Sequence, residues 1–145
     1  MIFAAMTPDD LDWVSHAETQ IYDFPWTHGN FADSLAANHR AVVAREQNDV
    51  VGYAVVMQVV DEAHLLNISV LPALQSQGRG SLLLEHVMAD SREHAGVRML
   101  LEVRRSNLRG QSFYRQHGFL KIGERRGYYP SHDCREDAIV MAREL

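Results

Sequence analysis

The segment Gln75-Ser76-Gln77-Gly78-Arg79-Gly80-Ser81 has the residue types of an anion-binding turn. It follows the apolar run Val70-Leu71-Pro72 and precedes an amphipathic stretch that begins at Leu82. Glycine there lets the backbone approach a ligand closely and leaves N–H groups pointing outward at a helix start, which suits an anion, most naturally a pyrophosphate. Two familiar phosphate loops are excluded. A Walker A loop needs Gly-Lys-Ser/Thr, and Lys121 is the only lysine in the chain. A dinucleotide fingerprint needs a third glycine that is missing. A helix-opening turn without any ligand has the same composition, so the turn alone assigns nothing.

Two further residues have the chemistry to move protons. Glu102 is the one carboxylate inside Leu100-Leu101-Glu102-Val103. Apolar neighbours raise a carboxylate's pKa and favour proton abstraction, although a strand carboxylate facing water or paired with an arginine reads identically. Tyr114 carries a phenol, yet it also fits as packing beside Phe113 and Phe119. Other candidates are weaker. Cys134, the single cysteine, sits in the polar run Ser131-His132-Asp133-Cys134-Arg135. Eight histidines form no His-x-His or His-Glu-x-x-His pattern, and His86 and His94 are expected to be exposed, so no metal is expected. Arg104, Arg105, Arg125 and Arg126 lack the interleaved aromatics and net basic charge of a nucleic-acid surface and read as solvated or ligand-facing. Trp26, Tyr128 and Tyr129 either frame a peptide entrance or pack.

The elements that must hold these residues follow from periodicity and punctuation. Ile2 to Ala5 reads as a strand, and Thr7-Pro8 as the cap and first position of a helix through Leu11, Val14, Ala17 and Ile21. Thr27 caps a second helix through Phe31 and Leu35 to about Asn38. Strands over 41–45 and 50–60 join at Gln47-Asn48-Asp49, and another runs over 64–70. A helix spans 81–94 with its stop at Gly96. A strand covers 99–103, a helix 108–117, and two strands 119–125 and 138–142. The order β-α-α-β-β-β-α-β-α-β-β is a single mixed α/β domain.

Length and composition agree. The 145 residues, 46% hydrophobic and 23% charged, suit one domain with a real core and argue against disorder. No apolar run approaches the roughly 20 residues that span a bilayer. The N-terminus lacks a signal peptide's positive and apolar regions, and one cysteine fits a reducing, cytoplasmic setting. The net charge of -5 hides a split after Gln75: two basic against ten acidic residues before it, twelve against nine after it. Such asymmetry points to two ligands of opposite sign.

Taken together, these motifs resemble the GNAT superfamily of acetyltransferases. Gln75-x-x-Gly78-x-Gly80 preceded by Val70-x-Pro72 is similar to its acetyl-CoA signature. The likeness extends to the RimI-type enzymes through Phe24-Pro25-Trp26, Asp61-Glu62-Ala63, Asn67-Ile68-Ser69-Val70 and Leu101-Glu102-Val103-Arg104. It continues through Ser106-Asn107, Phe113-Tyr114, Gly118-Phe119, Tyr128-Tyr129-Pro130 and Arg135-Glu136-Asp137-Ala138. The resemblance implies a GNAT fold, a mixed and mostly antiparallel central sheet flanked by about four helices. It implies acetyl-CoA as cosubstrate, with Ile68, Ser69 and Val70 along the pantetheine arm and Asn107 touching it. Ser76, Gln77, Gly78, Arg79, Gly80 and Ser81 would cradle the pyrophosphate. Glu102 becomes the base, possible through a water, and Tyr114 the acid, because a phenol near ~10 matches a departing thiolate near ~8.5. Backbone N–H groups near Ile68 to Val70 would form an oxyanion site. The implied acceptor is the N-terminal amine, on alanine, of a basic small-subunit ribosomal protein, with no nucleic acid or membrane involved. A lysine, polyamine or other small amine as acceptor, or a silent acetyl-CoA-binding module, remains open. Arg109, Gly110 and Gln111 depart from the small apolar run usual there.

Overall fold

The computed structural model describes residues 1–145. Strand β1 (Ile2–Ala5) leads through a one-turn 3-10 segment into helix α1 (Leu11–Ile21) and helix α2 (His28–Ala36). Strands β2 (Arg40–Glu46), β3 (Asp49–Val59) and β4 (Glu62–Val70) follow, then helix α3 (Arg79–Glu93) and strand β5 (Arg98–Arg104). Helix α4 (Leu108–Gln116) and the hairpin of β6 (Leu120–Pro130) and β7 (Arg135–Glu144) complete the chain. The local signals act as expected. Thr27 accepts from the Asn30 N–H at 3.1 Å while the Asn30 side chain accepts from the Thr27 N–H at 2.9 Å, a reciprocal cap that starts α2. Gln47 and Asn48, with φ of 52° and 72°, turn β2 into β3. Helix α3 stops with Ala95 as its left-handed residue (φ 64°), one position before the expected Gly96.

The sheet order is β1-β2-β3-β4-β5-β7-β6, antiparallel everywhere except between β4 and β5. That parallel pair needs the α3 crossover. Alternate residues of β3 divide the core. Ala54 and Val56 join Leu83, Leu84, Val87 and Met88 of α3 on one face. Tyr53 and Val55 join Leu11 and Val14 of α1 and Phe31 of α2 on the other. Each fully buried leucine in such a cluster contributes ~1.5–3 kcal/mol.

The functional consequence lies at the parallel pair. β4 and β5 are in register only from Glu62↔Arg98 to Leu65↔Leu101. An extra residue, Leu66, bulges β4 opposite Val55 and Val56. Beyond it β4 stays with β3 as far as Val70, while β5 stays with β7 as far as Arg104. The two strands part, and the sheet opens into a cleft. The closing hairpin is longer than the sequence indicated, to Pro130 and from Arg135 instead of Arg125 and Ala138. Register breaks between Lys121 and Gly123 and between Arg125 and Tyr129 interrupt its alternation, which hides its length in the sequence.

Candidate active site

The glycine turn is a nest of free donors. From Ser76 to Ser81 no backbone N–H has a protein acceptor; backbone pairing stops at Gln75 and resumes when Leu82 donates to Gly78 at 3.2 Å. Ser76 (φ 62°) and Gly78 (φ +86°) are both left-handed, and Gly78 aims the loop into α3, a conformation costing roughly 1–2 kcal/mol for a residue with a Cβ. Gly80 is different: an added Cβ would meet Phe113 at 3.5 Å, an ordinary contact. Ser81 Oγ lies 2.9 Å from His117 Nε2, tying α3 to α4. Arg79 is committed to Glu46 at 2.7 Å and to Gln77 Oε1 at 2.7 Å. Arg109 of α4 reaches Ser76 Oγ and places a second guanidinium beside the loop. Six adjacent N–H groups at a helix N-terminus fit a pyrophosphate.

The cleft between β4 and β5, about 340 Å³, is where the remaining candidates meet. Its wall includes Ile68, Glu102, Asn107 and Tyr114, with Phe24, Trp26 and Tyr129 toward the rim. Asn107 caps α4 by accepting from Gly110 at 2.9 Å, and its Nδ2 has no protein acceptor. A Cβ at position 110 would lie 2.5 Å from that Nδ2. Gly110, one of the departures from the usual apolar run, thus makes room for the cap. Ser69 and Val70 are buried. Tyr22 donates to the Ile68 carbonyl at 3.2 Å and shares a 2.7 Å hydrogen bond with Ser69 Oγ. Its ring is 39% exposed but its hydroxyl is enclosed, and the phenol pKa is pushed up to about 12, mainly by burial.

Tyr114 sends its hydroxyl into the cleft with no protein hydrogen bond. Burial, then the nearby Tyr22 and Tyr129, raise its pKa well above the ordinary phenol, so it is a full proton donor at neutral pH. Glu102 corrects the expectation of a raised pKa. Its side chain is 7% exposed, and burial does push the pKa upward. His64 Nε2 lies 2.5 Å from Oε2, however, and Arg125 donates to Oε1 at 3.0 Å. Those partners prevail and hold the carboxylate below the usual glutamate range. The apolar neighbours seen in sequence, Leu101 and Val103, face the α3 side, whereas Glu102 faces the other.

Three residues escaped the sequence reading: Tyr22 and Glu18, which line the cleft, and His64, which contacts Glu102. Glu18, 2% exposed, accepts from Tyr53 at 2.7 Å, Asn67 at 3.2 Å and the Trp26 N–H at 3.0 Å, fixing the bulge of β4 and the rim together. Its signal was present: it interrupts the apolar stripe of Leu11, Val14, Ala17 and Ile21. His64 carried none, since its partner is 38 residues away. The four arginines divide. Arg104, Arg105 and Arg125 pair with Glu136, Glu124 and Glu102; Arg105 and Arg125 stay exposed as expected, and Arg104 is mostly covered. Arg104 also lies over the Phe24 and Tyr129 rings, and Arg125 over Tyr128. His86 is not fully exposed; it stacks on Phe3 at 4.0 Å. Cys134 is exposed in the β6–β7 turn, away from the cleft residues. No group of three His, Cys, Asp or Glu side chains is arranged to hold a metal, and no helix is long and apolar enough to cross a membrane. The charge split is partly neutralised within the fold: Arg79–Glu46, Arg98–Glu62 and Arg40–Asp90 each join one part to the other.

Comparison with known proteins places this geometry. The sequence model of the Acetyltransferase (GNAT) family matches residues 7–119. The chain is 39% identical to the [ribosomal protein bS18]-alanine N-acetyltransferase of Escherichia coli K12 over 140 residues, 96% of this chain and 94% of that one. It is 34% identical to the enzyme of that name from Haemophilus influenzae, over 92% and 91% of the two chains. The crystal structure of the ribosomal-protein-S18-alanine N-acetyltransferase from Escherichia coli superposes with a TM-score of 0.92 at 34% identity, covering 99% of this chain and 93% of that one. These relatives are acyltransferases.

Proposed function

The chain belongs to the Acetyltransferase (GNAT) family, and on that premise we propose that it transfers the acetyl group of acetyl-CoA to the N-terminal α-amine of a small-subunit ribosomal protein, with alanine as the accepting residue. One observation carries the reading. A six-donor anion cradle at the start of α3 and a cleft lined by Tyr114 and the Glu102 carboxylate occur together in a chain whose relatives are named [ribosomal protein bS18]-alanine N-acetyltransferases.

Acetyl-CoA supplies the activated acyl carbon and a thiolate leaving group. The Ser76–Ser81 donors hold its pyrophosphate, and Ile68 to Val70 with Asn107 Nδ2 line the path of its arm. Donors from β4 near Ile68, facing the open side of the strand, stabilise the oxyanion as the amine attacks. Glu102 cannot simply strip the ammonium beforehand. An α-ammonium near ~8 and an ordinary glutamate near ~4.3 are about four pKa units apart, ~5 kcal/mol uphill at 1.36 kcal/mol per unit. The depressed Glu102 carboxylate widens that gap. The amine therefore attacks as its neutral fraction, its first proton having gone to solvent, and Glu102 takes the second proton as the C–N bond forms, directly or through a water, when the nitrogen has become strongly acidic. Tyr114 gives its proton to the departing sulfur. No covalent enzyme intermediate is needed.

The test is incubation with saturating acetyl-CoA and a basic peptide beginning with alanine, following thiol release and peptide mass. One acetyl group on the peptide N-terminus, with thiol release in step, supports the reading. Acetyl-CoA binding without transfer to any amine overturns it in favour of a silent binding module.

A further inference from the structure

The Glu102 carboxylate has an imidazole within hydrogen-bond reach on the side away from Arg125. Resting on the function proposed above, we propose that His64 is a positioning residue for Glu102 that also carries the abstracted proton from the site to solvent.

His64 of β4 and Glu102 of β5 sit on the side of the sheet away from Leu65 and Leu101, just where the two strands begin to part. Oε2 of Glu102 is committed to His64 Nε2, and Oε1 to Arg125. The guanidinium keeps its proton at any working pH, so it can orient the carboxylate but cannot relay. The imidazole can. Its Nδ1 has no protein hydrogen bond and is not enclosed, while its side chain is 21% exposed. One ring nitrogen therefore faces the buried carboxylate and the other faces water. The charged and titratable groups facing this pair are Glu62 and Arg98 (paired at 3.2 Å), Arg104 with Glu136, Arg125, and the phenols of Tyr128 and Tyr129. None of the others touches both the carboxylate and solvent as a neutral base.

The proton balance closes. The N–H bond of the attacked amine breaks and its proton goes to Glu102. The resting ring donates Nε2–H to the carboxylate; once Glu102 is protonated, tautomer exchange through solvent moves that hydrogen to Nδ1 and the carboxyl proton passes to the vacated Nε2. The Nδ1–H proton then leaves to water, Glu102 is again a carboxylate, and Nε2–H is again its donor.

Compare wild type, His64→Gln and His64→Ala at saturating acetyl-CoA across pH 5–9 on an alanine-starting peptide, with coenzyme A binding by calorimetry confirming that each variant is folded. Glutamine retains a donor to Glu102 but cannot relay. The expected result is coenzyme A binding and peptide KM within about twofold of wild type, with kcat lowered roughly tenfold in His64→Gln. The acid limb of the kcat profile changes shape while the dependence on the amine's own deprotonation stays, and added imidazole restores part of the rate of His64→Ala. Wild-type kcat and an unchanged profile in His64→Gln overturn the relay while leaving the acetyltransferase reading intact. A wild type that acetylates no amine overturns both.

Discussion

The two ends of the site are built on opposite principles. At Ser76–Ser81 the protein leaves six N–H groups without acceptors; at Glu102 it surrounds one carboxylate with two donors. The first end is made of backbone, and its free N–H groups suit a charged ligand. The second is made of side chains from β4, β5 and β6 and is already complete, so its charge is fixed before any substrate arrives. A binding end gains affinity from unmet donors, whereas a catalytic end gains rate from preorganisation. Substitutions at one end should therefore move affinity, and at the other turnover.

The largest effect that could break this division is at the catalytic end. Glu102→Gln should lower kcat by on the order of 10²–10⁴-fold with coenzyme A affinity unchanged; steady-state kinetics beside calorimetry separates the two. Tyr114→Phe should cost on the order of 10²-fold in kcat, again with binding retained. If coenzyme A affinity fell as steeply as turnover in either variant, the two ends would not be independent.

The binding end should respond in affinity and at one glycine only. Gly78→Ala places a Cβ on a residue at φ +86°, and the roughly 1–2 kcal/mol of strain should weaken coenzyme A binding on the order of tenfold while kcat at saturation holds. Gly80→Ala should stay within about twofold of wild type, because its Cβ meets only ordinary contacts. Equal losses at both positions would mean that close approach to the ligand, not the left-handed turn, makes this motif.

That contrast also explains what the sequence could disclose. A backbone feature leaves its trace in glycines, caps and helix starts, all local, so the glycine turn before α3, the Thr27 cap and the start of α4 were legible. So were the four helices and the antiparallel bias of the sheet. The state of Glu102 was not, because the groups that set it arrive from residues 64 and 125. Its immediate neighbours, which the sequence does show, point to the other face and suggest the wrong direction. The β6–β7 hairpin was read short for a related reason: its bulges break the period-two pattern that marks a strand. Glu18 was visible as a misplaced carboxylate, but its role needed Trp26, Tyr53 and Asn67 gathered around it.

A smaller effect tests the catalytic end without substitution. The folded pKa of Glu102 lies below its unfolded value, so the stability it contributes is complete above about 4.3 and is lost as pH falls through the lowered folded value. Glu136, lowered mainly by Ser106 and Arg104, acts in the same direction. The thermal midpoint should hold from neutrality to about pH 5 and decline below that. Glu102→Gln should decline less steeply on acidification than wild type.

The central claim concerns the acceptor, and one competition decides it. An alanine-starting basic peptide containing internal lysines is mixed with an equal concentration of a polyamine and limiting acetyl-CoA, and the acetyl group is located by fragment mass spectrometry. The account predicts acetylation of the alanine α-amine, with lysine side chains and polyamine left unmodified. Acetyl groups found chiefly on lysine or polyamine would contradict it.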